Sequence, residues 1–275
     1  MDISKGQFWD KGVTLVPGCT KCSPGCLHCW SESLGRRFPT HPNRAYLDNY
    51  SQFTGRVGWR LDLLKKALRS RKDKVLALWN DFYHEGITHA QRGEALGLIL
   101  SAQKTVIICT KRPHIAADFW RKWPADDEII RDKIFHLFTV ENQEMFDKRI
   151  PDILKVPGKK GLLIEPMLGP VRIAWECLNY TNGSCRPVGE DFCNGCYHSI
   201  PIKNIHAVIV GAETGAGMRY LRLDWAQAVV DQCKAASVPV FVKQLHINGK
   251  AEKDINKFPA SLSVRELPWL KETDK

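Results

Sequence analysis

The chain has 275 residues, of which 44% are hydrophobic and 25% charged, a composition typical of a globular protein. It is long enough for one large α/β domain or two small ones, and no apolar run reaches the ~20 residues of a membrane-spanning helix. The first residues show neither a signal-peptide core nor a transit-peptide pattern, so we expect a cytoplasmic protein with no membrane partner. The net charge of +10 suits a polyanionic partner.

Short apolar runs, each ending in polar or small residues, predict parallel strands that are buried on both faces. In chain order they are 13–16, 75–79, 105–109, 134–140, 161–164, 207–210 and 238–242. Helical patterns lie between them at 59–69, 88–103, 115–122, 143–154 and 224–236, and Thr88 and Asp224 are predicted N-caps. This alternation predicts an α/β fold, a partial or complete parallel (β/α) TIM-type barrel formed by a single domain, 1–275. An open doubly wound sheet is the alternative.

The first apolar run leads into four cysteines within eleven positions, Cys19, Cys22, Cys26 and Cys29. Cys22, Cys26 and Cys29 have the C-x3-C-x2-C spacing of radical S-adenosylmethionine enzymes, whose 4Fe–4S cluster keeps one iron open. Cys19, Cys26 and Cys29 form a second set, C-x6-C-x2-C. A disulfide pair or a zinc knuckle of all four thiolates is the alternative. Only three residues separate the two C-x2-C pairs, and ten cysteines in a reducing compartment disfavour disulfides, so the pattern favours the cluster.

Much of the excess positive charge lies between Arg56 and Lys74, where eight basic and two acidic residues give a net charge of +6. Such a stretch suits a nucleic acid or a nucleotide, although a solvated helix face would look the same. Because the stretch follows the cysteine loop by one connection, we expect it beside the mouth of the barrel.

Polar and charged residues follow the predicted strands, at the end where barrels place their active sites. They include Asn80, Lys111, Arg112, Glu141, Glu165, Glu213 and Lys243. One charged residue after a strand means little, but six strand ends that carry them predict an active face.

A Cys-rich insertion, 177–204, interrupts the alternation and is rich in Gly, Asn and Pro. Its four cysteines, Cys177, Cys185, Cys193 and Cys196, predict a structural zinc site, with a second iron–sulfur cluster or a loop with incidental thiols as alternatives. A loop of this length needs something to order it, which favours the metal.

The segment 18–30 resembles a family of phage and bacterial proteins of uncharacterised function, which has an N-terminal three-cysteine motif and a radical-SAM-like barrel. Later segments that carry the resemblance are 80–85, 110–113, 140–143, 165–170, 211–215 and 241–244. The family commonly has an apolar residue where Cys22 stands, so the resemblance implies Cys19, Cys26 and Cys29 as cluster ligands. The radical-enzyme spacing implies Cys22 instead of Cys19, and both stay open. The chain also has Gly-Ala-Glu at 211–213 where the family usually has Gly-Gly-Glu.

Together these features predict a radical S-adenosylmethionine enzyme that acts on a nucleic acid or nucleotide and receives electrons from a reductant such as flavodoxin or ferredoxin. The predicted cofactor-binding residues are His28, Asn80 and Glu213. The predicted catalytic residues are Lys111, Arg112, Glu141, Glu165 and Lys243, the cations facing an anionic substrate. A salt bridge between Glu165 and Lys243 is an alternative role for that pair. A non-catalytic iron–sulfur and zinc protein that binds nucleic acid is the alternative function, and a metal-dependent hydrolase is a weaker one.

Overall fold

A single sheet organises the protein, whose computed structural model describes residues 1–123, 133–173 and 205–269. Its strands follow one another in chain order: β1 (Lys11–Val13), β2 (Val75–Leu78), β3 (Thr105–Thr110), β4 (Ile134–Thr139), β5 (Lys159–Ile164), β6 (Val208–Gly211), β7 (Val240–Ile247) and β8 (Lys250–Glu252). Strands β1 to β7 are parallel, and β8 is antiparallel to β7. The sheet curls into a half-barrel, which confirms the predicted α/β class and the partial barrel. The strand order never reverses, so the doubly wound alternative was wrong.

Helices connect the strands on the outer face of the sheet. They are α1 (Trp30–Arg37), α2 (Leu61–Arg69), α3 (His89–Ser101), α4 (Pro113–Lys122), α5 (Gln143–Lys155) and α6 (Leu223–Ala235). Thr88 caps α3 in a capping box with Gln91, as predicted. Asp224 was wrong as an N-cap, because Arg222 holds that position and Asp224 lies in the first turn of α6.

The sheet separates two apolar layers, because alternate side chains of each strand point to opposite faces. Leu76, Ile108 and Phe138 pack against the helices. Ala77 and Ile107 belong to a smaller cluster that fills the inside of the curl. Both layers are made of fully buried aliphatic and aromatic side chains, as the continuous apolar runs predicted.

Segments near Phe8 and Trp269 complete the inner layer between β1 and β7. The indole of Trp269 donates a hydrogen bond to the Phe8 carbonyl at 3.2 Å, and Phe8 contacts the ring of Phe241. At Gly6 an added Cβ would lie 2.4 Å from the Lys243 carbonyl oxygen, so only glycine permits this approach. Ladder pairing between β1 and β7 is absent from the described residues.

Strand β8 is a feature that the sequence analysis missed, since the last strand that it predicted is 238–242. Asn248 and Gly249 both adopt positive φ angles, 49° and 73°, and join β7 to β8 in a two-residue hairpin. Asn-Gly is the strongest short hairpin signal, so the sequence did contain the information.

Two further predictions concern the Cys-rich insertion and membrane-spanning helices. The Cys-rich insertion 177–204 and its zinc site at Cys177, Cys185, Cys193 and Cys196 lie outside the described residues. Within the described part of the chain, no helix combines the length and apolar character that a membrane span requires.

Candidate active site at the cysteine loop

A cavity of about 530 Å³ opens at the carboxyl ends of the strands, a volume typical of small-molecule sites. The predicted site residues that line it are Cys19, Cys26, His28, Cys29, Asn80, Lys111, Arg112, Glu165, Glu213 and Lys243. Glu141 is fully buried behind the wall, and Cys22 is exposed outside it. The half-barrel therefore brings most of the predicted site residues to one cavity.

The cysteine loop, residues 18–29, folds through a short 3₁₀ turn at Pro24–Cys26 and ends at Cys29, the N-cap of α1. A hydrogen bond from Cys22, together with the nearby charge of Lys111, lowers the pKa of Cys26 to about 4 against the opposing effect of burial. Burial raises the pKa of Cys19 to about 12. Among these thiols, Cys26 is therefore the one whose charged form the loop favours.

Glu141 anchors the cysteine loop to the end of β4. Its carboxylate accepts a hydrogen bond from the Ser23 hydroxyl, pairs with Lys111 Nζ at 3.3 Å and with Arg149 Nη1 at 2.6 Å. At Gly25 an added Cβ would lie 2.5 Å from this carboxylate, so the loop can pack on it only with glycine there. Burial would raise the pKa of Glu141, but the two cations lower it overall.

Arg112 forms a second anchor at the end of β3. Its guanidinium donates to Asp81 Oδ2 at 2.9 Å, to the Glu85 carboxylate at 2.8 Å and to the backbone carbonyl of Thr20 at 3.1 Å. The side chain is almost fully buried. The arginine therefore connects the loop backbone to two strand-end segments, and its charge is neutralised there.

Asn80 fixes the backbone that enters the cysteine loop. It adopts a left-handed conformation, φ 63°, directly after β2. Its amide nitrogen donates to the carbonyls of Val16 and Gly18, at 2.7 and 3.2 Å, and to Asn43 Oδ1 at 2.8 Å, and its Oδ1 accepts from the Ser31 hydroxyl. The structure thus gives the amide a positioning role; contact with a cofactor stays a prediction.

Arg219 ties the loop to the segment after β6, and the sequence analysis did not select it. Its guanidinium donates to both oxygens of Glu213, at 2.5 and 2.9 Å, and to the Pro24 carbonyl at 3.0 Å. Burial would raise the pKa of Glu213, but Arg219 lowers it. His28 lies against Gly217 of the same segment, so the predicted cofactor residues His28 and Glu213 occupy neighbouring positions.

Glu165 and Lys243 form the ion pair that the sequence analysis considered, with 2.6 Å between Oε1 and Nζ. Gln244 Nε2 donates to the same oxygen at 2.7 Å. The Lys243 ammonium lies 5.8 and 5.6 Å from the ring centres of Phe8 and Trp9, where aromatic faces stabilise a cation. Both partners remain partly open to the cavity.

One wall of the cavity is aromatic. The sequence analysis missed it, because it considered only the polar and charged residues that follow the strands. Trp79 contacts Trp30 at 5.0 Å and Trp9 at 6.3 Å between ring centres, both edge to face. The indole of Trp79 packs directly over Gly12, where an added Cβ would lie 2.1 Å from the ring. Indole surfaces of this kind can hold a flat ring by stacking.

The basic stretch between Arg56 and Lys74 does not lie beside the mouth as a whole, which corrects the sequence expectation. Val57 bridges to Gly18 at the cysteine loop, whereas the Lys74 amide donates to Asp10 Oδ2 just before β1. Helix α2 runs antiparallel to the strands and carries its later charges to the opposite end of the sheet. Only the first residues of the stretch belong to the mouth.

Residues 4–266 match the family described as a protein of unknown function, DUF5131. The chain belongs to that family. Among curated proteins and solved structures no match was found. Membership in the DUF5131 family carries no activity with it, so the functional argument rests on the chemistry of the cavity.

Thiols are the soft donor atoms at the cavity. Three thiol side chains line one wall, and the thiolate of Cys26 lies near the ammonium of Lys111. Within the described ranges, no three or more His, Cys, Asp or Glu side chains are grouped so as to hold a metal ion. The thiol chemistry fits an iron–sulfur cluster, whose thiolates bind separate irons rather than one ion.

Proposed function

We propose that this protein is an iron–sulfur enzyme of the radical S-adenosylmethionine type that acts on a nucleic acid or nucleotide. The observation that carries the proposal is the cavity, where three thiols spaced C-x6-C-x2-C meet the carboxyl ends of a parallel half-barrel. Barrels of parallel strands place their chemistry at this end.

Cys26, Cys29 and either Cys19 or Cys22 would hold the 4Fe–4S cluster. Cys19 lines the cavity, whereas the exposed Cys22 does not, which supports Cys19 as the third ligand. The hydrogen bond between Cys22 and Cys26 supports the other set. When bound and reduced, the cluster would supply the electron that cleaves S-adenosylmethionine.

The residues of the chain would position these groups and exclude water. Glu141, Arg112 and Arg219 fasten the loop from three strand ends, through Ser23, the Thr20 carbonyl and the Pro24 carbonyl respectively. Such fastening keeps the thiols oriented toward the cavity, because each anchor is itself held by an ion pair.

The remaining groups divide the cavity between cofactor and substrate. His28, Asn80 and Glu213 would lie beside the cofactor, since they border the cysteine loop. Glu165 and Lys243 would face the substrate, with the Lys243 ammonium beside the ring of Trp9. Lys111 stands between the two sides, near the thiolate of Cys26 and paired with Glu141.

Anaerobic reconstitution with iron and sulfide tests the proposal. The wild type should bind about four irons per chain in the cysteine loop, and Cys26→Ala or Cys29→Ala should lose the chromophore. Cys233→Ala, in the apolar side of α6, is a matched control that should retain it. Reduction in the presence of S-adenosylmethionine should then yield 5′-deoxyadenosine. Retained iron without that product would leave a non-catalytic iron–sulfur protein.

The third ligand is tested by comparing Cys19→Ala with Cys22→Ala. We expect Cys19→Ala to lose much more iron. Complete and equal loss from both variants would indicate a site of four thiolates with no open iron, and would count against radical chemistry.

A further inference from the structure

The three cations predicted to meet an anionic substrate are all paired with carboxylates. Lys111 pairs with Glu141, Arg112 with Asp81 and Glu85, and Lys243 with Glu165. The sequence analysis assigned these three cations, Lys111, Arg112 and Lys243, to an anionic substrate. A phosphate backbone would therefore need counter-charges other than these three.

Unpaired cations cluster at the C-terminal end of α1, immediately beside the mouth. Arg36, Arg37 and Arg44 are exposed, and the described residues place no carboxylate within 4 Å of any of them. Arg44 Nη1 donates to the Arg36 carbonyl at 3.4 Å, which brings the turn at Pro42–Tyr46 against the helix end. The helix end and the turn therefore bring three exposed arginines to neighbouring positions.

Helix α1 also connects this surface to the cavity. Trp30 and Leu34 line the cavity, and Arg37 and Phe38 follow on the same side, because residues three, four and seven apart share a helix face. The rings of Trp30 and Phe38 are each 47% exposed. Exposed aromatic rings interleaved with guanidinium groups are typical of surfaces that bind single strands, since unpaired bases stack on the rings.

We propose that α1 and the turn at Pro42–Tyr46 bind a single-stranded nucleic acid and lead one nucleotide into the cavity. Arg36, Arg37 and Arg44 contact its phosphates, and Phe38 stacks on a base. The proposal deepens the proposed function and rests on it for the role of the cavity. A duplex would present no unpaired base to Phe38, so single strands should bind more tightly.

Fluorescence anisotropy with labelled 15-nucleotide RNA and DNA strands, and with the matching duplexes, tests the surface on the full-length protein. The variant Arg36→Gln/Arg37→Gln/Arg44→Gln should bind single strands at least about tenfold more weakly, and its log–log salt slope should fall by about 2. Lys65→Gln/Arg69→Gln/Lys72→Gln, on and just after α2, removes the same charge and should change affinity less than about twofold. Phe38→Ala should weaken single strands at least about fivefold and leave duplex binding unchanged.

The outcomes separate the two proposals. If both triple variants weaken strand binding equally, the binding responds to net charge alone, and the proposed surface on α1 is wrong. Wild-type protein that binds no strand at low salt would overturn both the surface and the nucleic-acid substrate, whatever the cluster does. Strand binding that depends on α1, in a protein that forms no 5′-deoxyadenosine, would support the surface and overturn the enzyme. The double variant Arg36→Gln/Arg37→Gln keeps the contact from Arg44 to the Arg36 carbonyl. If thermal melting shows that the triple variant is misfolded, the double variant should still show the weaker binding.

Discussion

Two groups of basic residues contrast sharply in this protein, although they look alike in the sequence. Arg112 and Lys111, at the end of β3, are buried or half-buried and are matched by carboxylates. Lys65, Arg69 and Lys72, on and after α2, are exposed, and within the described ranges no carboxylate approaches them within 4 Å. The first group contributes to the structure of the site, and the second contributes mainly to net charge.

A cation that follows a parallel strand can therefore have either of two roles: it can anchor a loop, or it can bind a substrate. The strand end faces a loop with unsatisfied backbone carbonyls, and a buried guanidinium can satisfy such a carbonyl only if carboxylates compensate its charge. Arg112 meets both conditions through Thr20, Asp81 and Glu85. Mutations in the two groups should therefore have very different consequences.

The largest effect is expected for Glu141→Gln, which leaves Lys111 and Arg149 without their shared anion. Breaking a buried ion pair on one side typically costs about 3 kcal/mol or more, and urea unfolding should show a loss of that order. Glu144→Gln, an exposed position in the first turn of α5, is the matched control and should change the free energy of unfolding by less than about 0.5 kcal/mol. Equal, small effects would show that the Glu141 network is not an anchor.

The same carboxylate predicts a pH dependence. Its pKa in the folded protein is below the ordinary value of 4.5, because Lys111 and Arg149 outweigh the effect of burial. The stabilisation that it provides is therefore complete above about pH 4.5 and is lost as the pH falls through the folded-state pKa. The difference in free energy of unfolding between wild type and Glu141→Gln should shrink as urea titrations move from pH 7 toward pH 3. A difference that stays constant with pH would contradict the role of its charge.

Arg112→Lys should have the next largest effect, although the charge is conserved. A lysine cannot reach Asp81, Glu85 and the Thr20 carbonyl together, because it lacks the planar fork of the guanidinium. We expect a loss of about 2 kcal/mol in unfolding free energy and weaker iron retention after reconstitution, measured in the same preparations. Arg121 forms an exposed ion pair with Asp118 on α4, so Arg121→Lys is the control and should leave the free energy of unfolding unchanged. Full iron retention with a native melting temperature would show that the loop does not depend on this anchor.

The sequence predicted the half-barrel because most of the parallel strands contain continuous apolar runs, as Thr105–Thr110 and Ile134–Thr139 do. Strand β1 was predicted at 13–16 but lies at Lys11–Val13, because only the last of its three residues is apolar and buried. It also located the site, since polar residues that follow parallel strands converge at one edge of the sheet. It could not show that Arg219 reaches Pro24 or that Trp79 covers Gly12, because these contacts join segments far apart in the chain. The sequence analysis did not predict helix α1, because its N-cap, Cys29, was interpreted only as a metal ligand.

The smallest effect is expected for the exposed cations on and after α2. Lys65→Gln, Arg69→Gln and Lys72→Gln remove exposed charges that make no ion pair in the described part of the chain, and each should change the free energy of unfolding by less than about 0.5 kcal/mol. The three changes together should raise the stability slightly, because a net charge of +10 repels itself and the repulsion weakens when charge is removed. Salt screens that repulsion, so any gain should disappear in about 1 M NaCl, where the Debye length falls to about 3 Å. Thermal melts of the triple variant at low and high salt provide the measurement. A loss of 2 kcal/mol or more would place α2 among the anchors and remove the distinction between the two groups of cations.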